Sequence, residues 1–473
     1  MSRKETLPLV VALLTTALLI GGGVWWLSQR VAKVGDAPSG ASSGAPSAPA
    51  LDGTNGERFS AGEKLLAAEA GTSPALSQKQ AGIAAFAAQN YPEAVTAFTA
   101  ALKAKRNDPE ALIYLNNAKV GTQPAFEVAI AVPLDSDLNG SLEMLRGVAQ
   151  AQTEFNQAAG GKLLKVLIVN DGGETGMARQ VATALVNNPA VLGVVGHNSS
   201  DMSLAAGEIY TQGKLVMISP TSTSVKLSNF SPYVFRTVPS DFVAARALAN
   251  YMVTELKQQQ AAVFFNSRSA YSQSLKSEFG AALSLEGGQV VNEFDLAGAD
   301  FDANSSLQQA QQSGAAVLAL FPNSDLLDRA LQVLQLNQRR LPLLGGDDVY
   351  SPKTLSVGGA VAQDISIAVP WHILANTNSS FVKTSRQLWG ADVNWRTATS
   401  YDAVSVFTGV AAAEPDLSRE KMHAALARPS FSVTNGSGVV KFTTSGDRSQ
   451  SIQLVTVTAG KRSGTGYDFV PLP

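Results

Sequence analysis

The sequence predicts an α/β protein, most of it folded as two doubly wound parallel-sheet lobes, with an N-terminal transmembrane helix and a short all-α module ahead of them. Three observations predict it. From Phe126 onward, apolar runs of strand length alternate with helical stretches of roughly 10 to 18 residues. That alternation lasts for roughly 345 residues, too many for one sheet and suited to two. Before Phe126 the composition changes from an apolar run, to a Gly/Ala/Pro/Ser stretch, to helical periodicity.

The first element is Leu7 to Leu27, 21 positions without a charge. At 1.5 Å per residue it spans a hydrocarbon core of about 30 Å. Arg3 and Lys4 precede it, and Trp25 and Trp26 suit a headgroup interface at its far end. Residues 1–34 are therefore expected to anchor the chain in a membrane. A cleaved signal peptide is the alternative, although the stretch is long for one and ends in Trp-Trp-Leu instead of small residues. With no cysteine in the chain, no lipobox can tether a cleaved form.

Residues 35–60 are expected to be a flexible linker, since their Gly, Ala, Pro and Ser leave little to bury. Residues 61–122 are expected to be helical. Gly82, Tyr91, Ala94, Phe98, Ala101 and Leu102 fall at tetratricopeptide spacings, with small residues where two helices approach and aromatics filling the gap. Pro109 comes three residues later than the usual proline, and Phe86 is one place off the usual aromatic. One such repeat needs neighbours to stack on, and helices near 61–70 and 109–119 are expected to supply them. A plain helical spacer is the alternative.

The strands from Val128–Leu134 to Ile365–Val369 then define the α/β part. Ligands of such sheets bind beyond the carboxyl ends of strands, so the loops there carry the candidate site. After Val191–Val195 comes Gly196-His197-Asn198-Ser199-Ser200-Asp201-Met202, and after Leu215–Ile218 comes Ser219-Pro220-Thr221-Ser222-Thr223-Ser224. Hydroxyls and free amides at a helix start suit a carboxylate or phosphate. Neither loop has the glycine spacing of a P-loop or a dinucleotide fold. Gly345-Gly346-Asp347-Asp348-Val349-Tyr350 offers carboxylates, which suit a cation. An anion seat opposite a cation seat describes a cleft for a zwitterion, although N-cap duty alone also explains Ser200, Thr223 and Asp348.

Composition excludes several classes. The absence of cysteine removes disulfides, thiolate metal sites and cysteine nucleophiles. The three histidines, His197, His372 and His423, lie far apart, and no metal-ligand spacing is visible. A net charge of −2 argues against nucleic-acid binding. No cofactor motif and no catalytic constellation stand out.

The run from Phe126 to about Phe469 resembles the type I periplasmic binding proteins, specifically the leucine/isoleucine/valine-binding receptors of ABC transporters. The likeness is carried by GVVGHNSSDMSLAAGEIYTQGKLVMISPTSTSVKLS (193–228), by FRTVPSD (235–241), by Ala270-Tyr271-Ser272 and by LLGGDDVY. The resemblance implies two lobes joined by a three-segment hinge crossing near Val238, Val369 and Gly446–Ser451. Lobe 1 would be 126–238 plus 370–446, and lobe 2 would be 239–369 plus 447–473. It implies that Ser200 donates to a ligand carboxylate, with Thr221, Ser222 and Thr223 completing that seat. Tyr271 would close over the ligand, Asp347 would hold the α-ammonium in preference to Asp348, and Asn139 to Ser141 would line the side-chain end. His197 would belong to the loop scaffold. Phe321-Pro322-Asn323 departs from the aromatic often found there in branched-chain binders, which leaves the amino acid open.

The expected function is a membrane-anchored extracytoplasmic solute-binding protein, not an enzyme, that captures an amino acid or similar small molecule by lobe closure for an ABC permease. The bulk of the chain would lie in the periplasm or outside the cell. The alternative is a ligand sensor or scaffold signalling to a partner protein through the helical repeat.

Overall fold

A computed structural model describes residues 56–68, 71–158 and 161–472. The expected anchor and nearly all of the expected linker lie outside the described residues. Among the described residues no helix is long and apolar enough to cross a membrane.

Two sheets form the frame. The first contains β1 (Phe59–Ser60), β2 (Phe126–Val132), β3 (Leu164–Asn170), β4 (Val191–Val195), β5 (Met217–Ser219) and β6 (Val234–Arg236), in the order β1-β3-β2-β4-β5-β6. Its neighbours from β3 to β6 are parallel, and β1 is antiparallel to β3. The second contains β7 (Gln260–Phe265), β8 (Gln289–Asp295), β9 (Val317–Phe321), β10 (Leu343–Gly345) and β11 (Ser366–Val369). A hairpin, β12 (Ser432–Asn435) with β13 (Gly438–Lys441), stands apart. The antiparallel β14 (Gln453–Ala459) and β15 (Tyr467–Pro471) complete the second sheet, in the order β15-β14-β11-β10-β9-β7-β8. Central strands such as β9, VLALF, are buried throughout because helices cover both faces.

Both sheets obey one rule of construction. In most of the parallel strands an apolar run makes the strand, a polar loop follows, and a capped helix returns the chain across the sheet. Asp137, Ser199 and Ser269 accept the backbone N–H three residues on, so these loops are also helix starts. The helix Leu138–Gln157 lies tightly against Trp395–Ala413. A Cβ on Gly147 would sit 2.1 Å from the Thr397 carbonyl oxygen, so only glycine permits this approach.

The chain passes between the sheets three times: after Arg236, after Val369 and before Gln453. Arg236 binds these passages together. Its Nε donates to Asp447 Oδ1 at 2.7 Å, its backbone N–H to the Gly446 carbonyl at 3.0 Å, and its guanidinium to Ser224 O at 2.7 Å. Gln450 Nε2 donates to Pro370 O at 2.7 Å, tying the third passage to the second.

The N-terminal helices are Pro74–Ala87, Tyr91–Ala104 and Pro109–Val120, and they pack on the first sheet's lobe. Phe59 and Ser60, assigned above to the linker, instead form the edge strand β1. Residues 61–68, expected to be helical, are irregular. Their backbone is held from outside: Glu110 Oε1 accepts from Leu66 and Ala67 N–H at 2.7 and 3.2 Å. Lys79, 1% exposed, pairs with Asp108 at 2.9 Å and Glu110 at 2.8 Å. Asn117 acts as one more rung on the edge of β3. It accepts from Val166 N–H at 3.0 Å and donates to Val166 O at 2.8 Å.

Candidate ligand cleft

The loops that follow the strands of both sheets enclose a cavity of about 490 Å³, within the range of small-molecule sites. From the first lobe it is lined by the loop after β2, the start of Ser200–Gln212 and Thr221. From the second it is lined by the start of Ala270–Leu285, the loop after β9, and Asp347 and Asp348 after β10.

The first-lobe side is built on His197. Its ring is fully buried, with Nδ1 2.6 Å from Asp171 Oδ2 and Nε2 3.2 Å from the Tyr210 hydroxyl. Its carbonyl oxygen accepts from Ser203, Ser219, Thr221 and Ser222 hydroxyls at 2.9 to 3.3 Å. With both ring nitrogens engaged, this histidine orders the loop. Ser199 caps the helix, and Ser200 presents its hydroxyl at the helix N-terminus while accepting from Ser224 N–H at 3.2 Å. Amides and a hydroxyl at that end favour an anion.

Of the residues named from the sequence, Ser200, Thr221, Tyr271 and Asp347 line the cavity together. Ser222 and Thr223 lie behind that surface. Ser222 Oγ is spent on Ser203 Oγ at 2.8 Å and on the His197 carbonyl. Thr223 sits where its carbonyl accepts from Asp241 N–H at 2.8 Å, at the first passage between lobes. Asn139 lies elsewhere. It is the second residue of Leu138–Gln157, exposed and absent from the cavity wall, and Ser136 and Asp137 take the place expected of it. The helix starts early because Asp137 caps it, accepting from Gly140 N–H at 2.9 Å.

On the second-lobe side, Tyr271 and Asp347 are 7% and 8% exposed. Gly346 makes room for the phenol, since a Cβ there would lie 2.3 Å from the Tyr271 hydroxyl. That hydroxyl points at Asp347 without a well-aligned hydrogen bond. Burial, reinforced by the Asp348 charge, pushes the Asp347 carboxyl up to about 8. Asp348 is also raised by burial, but Arg396 offsets this by pairing with it directly. The Arg396 guanidinium lies 4.2 Å from the centre of the Trp395 ring. Sequence reasoning missed Arg396 and Trp395 because they begin a helix that follows no strand. The only available signal was Asn394, a helix cap just before an aromatic and a cation.

Among the described residues, three interactions join the two walls of the cleft. Ala270 N–H donates to both Asp201 carboxylate oxygens at 3.1 Å, Val225 N–H donates to Ser274 Oγ at 3.0 Å, and Arg396 holds Asp348. Asp201 thereby places a first-lobe carboxylate on the N-terminus of a second-lobe helix.

Comparisons with known proteins agree with this architecture. An amino acid binding protein of Pseudomonas aeruginosa is 27% identical over 220 residues, 45% of this chain and 58% of that protein. A protein of Brucella melitensis described as Leu/Ile/Val-binding protein homolog 3 is 24% identical over 257 residues, 52% of this chain and 68% of that protein. The chain thus spans little more than half to two thirds of the length of these curated relatives. A leucine-binding protein from Thermotoga maritima superposes with a TM-score of 0.65 at 21% identity, covering 73% of this chain and 98% of its own. A solute-binding protein from Rhodopseudomonas palustris, solved with 3,4-dihydroxybenzoic acid, superposes at 0.64 with 16% identity over 74% of this chain and 96% of its own. Those two likenesses establish the fold, and their different ligands show that this fold does not fix what is bound. The family described as periplasmic binding protein matches residues 125–462, and the chain belongs to it.

Proposed function

We propose that this chain is the solute receptor of an ABC transporter, capturing an amino acid between its lobes and presenting the closed form to a permease. One observation carries the reading. A single cavity brings an anion seat on the first lobe, the N-terminus at Ser200 with Thr221, together with a buried carboxylate and phenol, Asp347 and Tyr271, on the second. A zwitterion satisfies both ends at once, and only when the lobes are together.

In this reading Ser200 Oγ and the amides of its helix start hold the ligand carboxylate. Tyr271 covers the ligand, and Asp347 receives the α-ammonium. An arriving ammonium offsets the burial that keeps Asp347 protonated, so binding near neutral pH expels a proton. We assign no reaction to the cleft; His197, behind its wall, is committed on both nitrogens and orders the loop. Residues 7–27 support tethering at the outer face of the cytoplasmic membrane.

A thermal-shift screen of the full chain against neutral, acidic and basic amino acids tests the reading. The expected result is a concentration-dependent rise in melting temperature with at least one amino acid, lost in Asp347→Ala. No shift with any amino acid would overturn it.

A further inference from the structure

The three passages between the lobes lie after Arg236, after Val369 and before Gln453. Outside those passages, two charged contacts join the lobes directly. The first is made by Asp201 of the first-lobe helix Ser200–Gln212. Both of its carboxylate oxygens lie 3.1 Å from the Ala270 nitrogen and accept its N–H. Ala270 opens a second-lobe helix of 16 residues, so a negative charge is set against the positive end of that helix. The second contact is made by Arg396, whose guanidinium donates to Asp348 Oδ1. Arg396 stands at the start of Trp395–Ala413, which packs on Leu138–Gln157, β4 and β5 of the first lobe, whereas Asp348 follows β10 of the second.

Local duties do not account for either contact. Ser199 already caps the helix that carries Asp201, accepting from Met202 N–H at 3.2 Å, and Asp201 turns both oxygens to the other lobe. Arg396 is held ready for its partner: Asn394 Oδ1 accepts its backbone N–H at 2.8 Å, and its guanidinium lies 4.2 Å from the centre of the Trp395 ring. The side chains of Arg396 and Asp348 are 10% and 17% exposed, so the pair forms in a partly dehydrated setting where it is worth more than at a surface. Asp137 lines the same cavity from the first lobe as a like charge near Asp348, and the direct pairing with Arg396 outweighs it. Each contact has one end on each lobe, so both break when the lobes part. The remaining link, Val225 N–H to Ser274 Oγ, is neutral.

We propose that these two contacts are charge latches, which draw the lobes together through the protein's own groups, so that the chain exchanges between an open form and a latched one before any ligand arrives. A ligand then adds to a closure the protein has already begun. Each latch raises the closed fraction separately, and loss of one leaves the other in place. The inference goes beyond the receptor reading and does not depend on which ligand the cleft takes.

Spin-label distance measurements on the full chain, without added ligand, test it. The chain has no cysteine, so Gln180→Cys in the first lobe and Gln308→Cys in the second, both at exposed helical sites, place one label on each. This labelled parent should show two distance populations, one of them at the separation these sites have in the structure. The ratio of that latched population to the other should fall at least about threefold in Asp201→Ala and in Asp348→Asn, and at least about tenfold in the double variant. Raising salt to about 1 M should lower the ratio in the parent, a reading that needs no variant to fold. A parent with no population at the latched separation would overturn the proposal. So would a double variant with the parent's ratio, or a parent ratio that salt leaves unmoved.

Discussion

Asp347 concentrates the chemistry of the site in one side chain. Its carboxyl is raised to about 8 against an ordinary 3.8, chiefly by burial. A carboxyl raised on folding favours the folded state fully while it stays protonated, below the ordinary value. That advantage is lost as pH climbs from about 4 to about 8. Asp347→Asn should therefore flatten the stability–pH profile in this window and be more stable than wild type at pH 8, by about 1–3 kcal/mol, while losing ligand. Chemical denaturation at pH 5 and pH 8 measures both slopes. Arg396→Ala should act oppositely. Asp348 then stays partly buried without its cation, costing about 3 kcal/mol or more, and urea midpoints report the loss. The Asp347-Asp348 pair was legible as carboxylates in a post-strand loop, whereas the preference for Asp347 came only from the resemblance. Arg396 was not legible, because its place in the site depends on a helix folding back onto Asp348, 48 positions earlier in the chain.

At the scale of elements, two devices hold the scaffold. Arg236, 2% exposed, binds the first and third passages between lobes through Asp447. Arg236→Met should destabilise the protein by about 3–5 kcal/mol in equilibrium unfolding, because the Asp447 carboxylate, 13% exposed, would lose its cation. Asn117 closes the edge of β3. Asn117→Ala should cost about 2 kcal/mol, since it leaves the buried Val166 N–H and C=O without partners, again read by denaturant melting. The strands and their returning helices were legible because apolar runs and caps are local signals. Residues 59–68 were not: a linker-like composition hid a two-residue edge strand, and apparent helical periodicity hid a segment that Glu110 holds irregular. Asn139 lies two residues past the wall residue Asp137, which caps the helix that carries Asn139 away from the cavity.

For the molecule as a whole, function lies in how the two lobes meet. The Ala270 and Val225 amides each donate across the cleft, to Asp201 and Ser274. These two N–H groups should exchange with deuterium more slowly when ligand is bound, while amides inside β9 stay unchanged. Equal protection with and without ligand would mean that closure does not depend on it. The two-lobed architecture was legible from the length and rhythm of the alternating strands and helices. The cavity wall was not, because it gathers residues of separate loops that only the fold brings together.

The central claim is that one cleft holds a zwitterion, its carboxylate at Ser200 and its ammonium at Asp347. Titrating wild type and Asp347→Asn with the bound amino acid, and with its analogues lacking the amino or the carboxyl group, tests it most directly. The account predicts that wild type loses at least about a hundredfold in affinity for either analogue, and that Asp347→Asn no longer distinguishes the amino acid from its des-amino analogue. An Asp347→Asn variant that keeps full preference for the ammonium would contradict it.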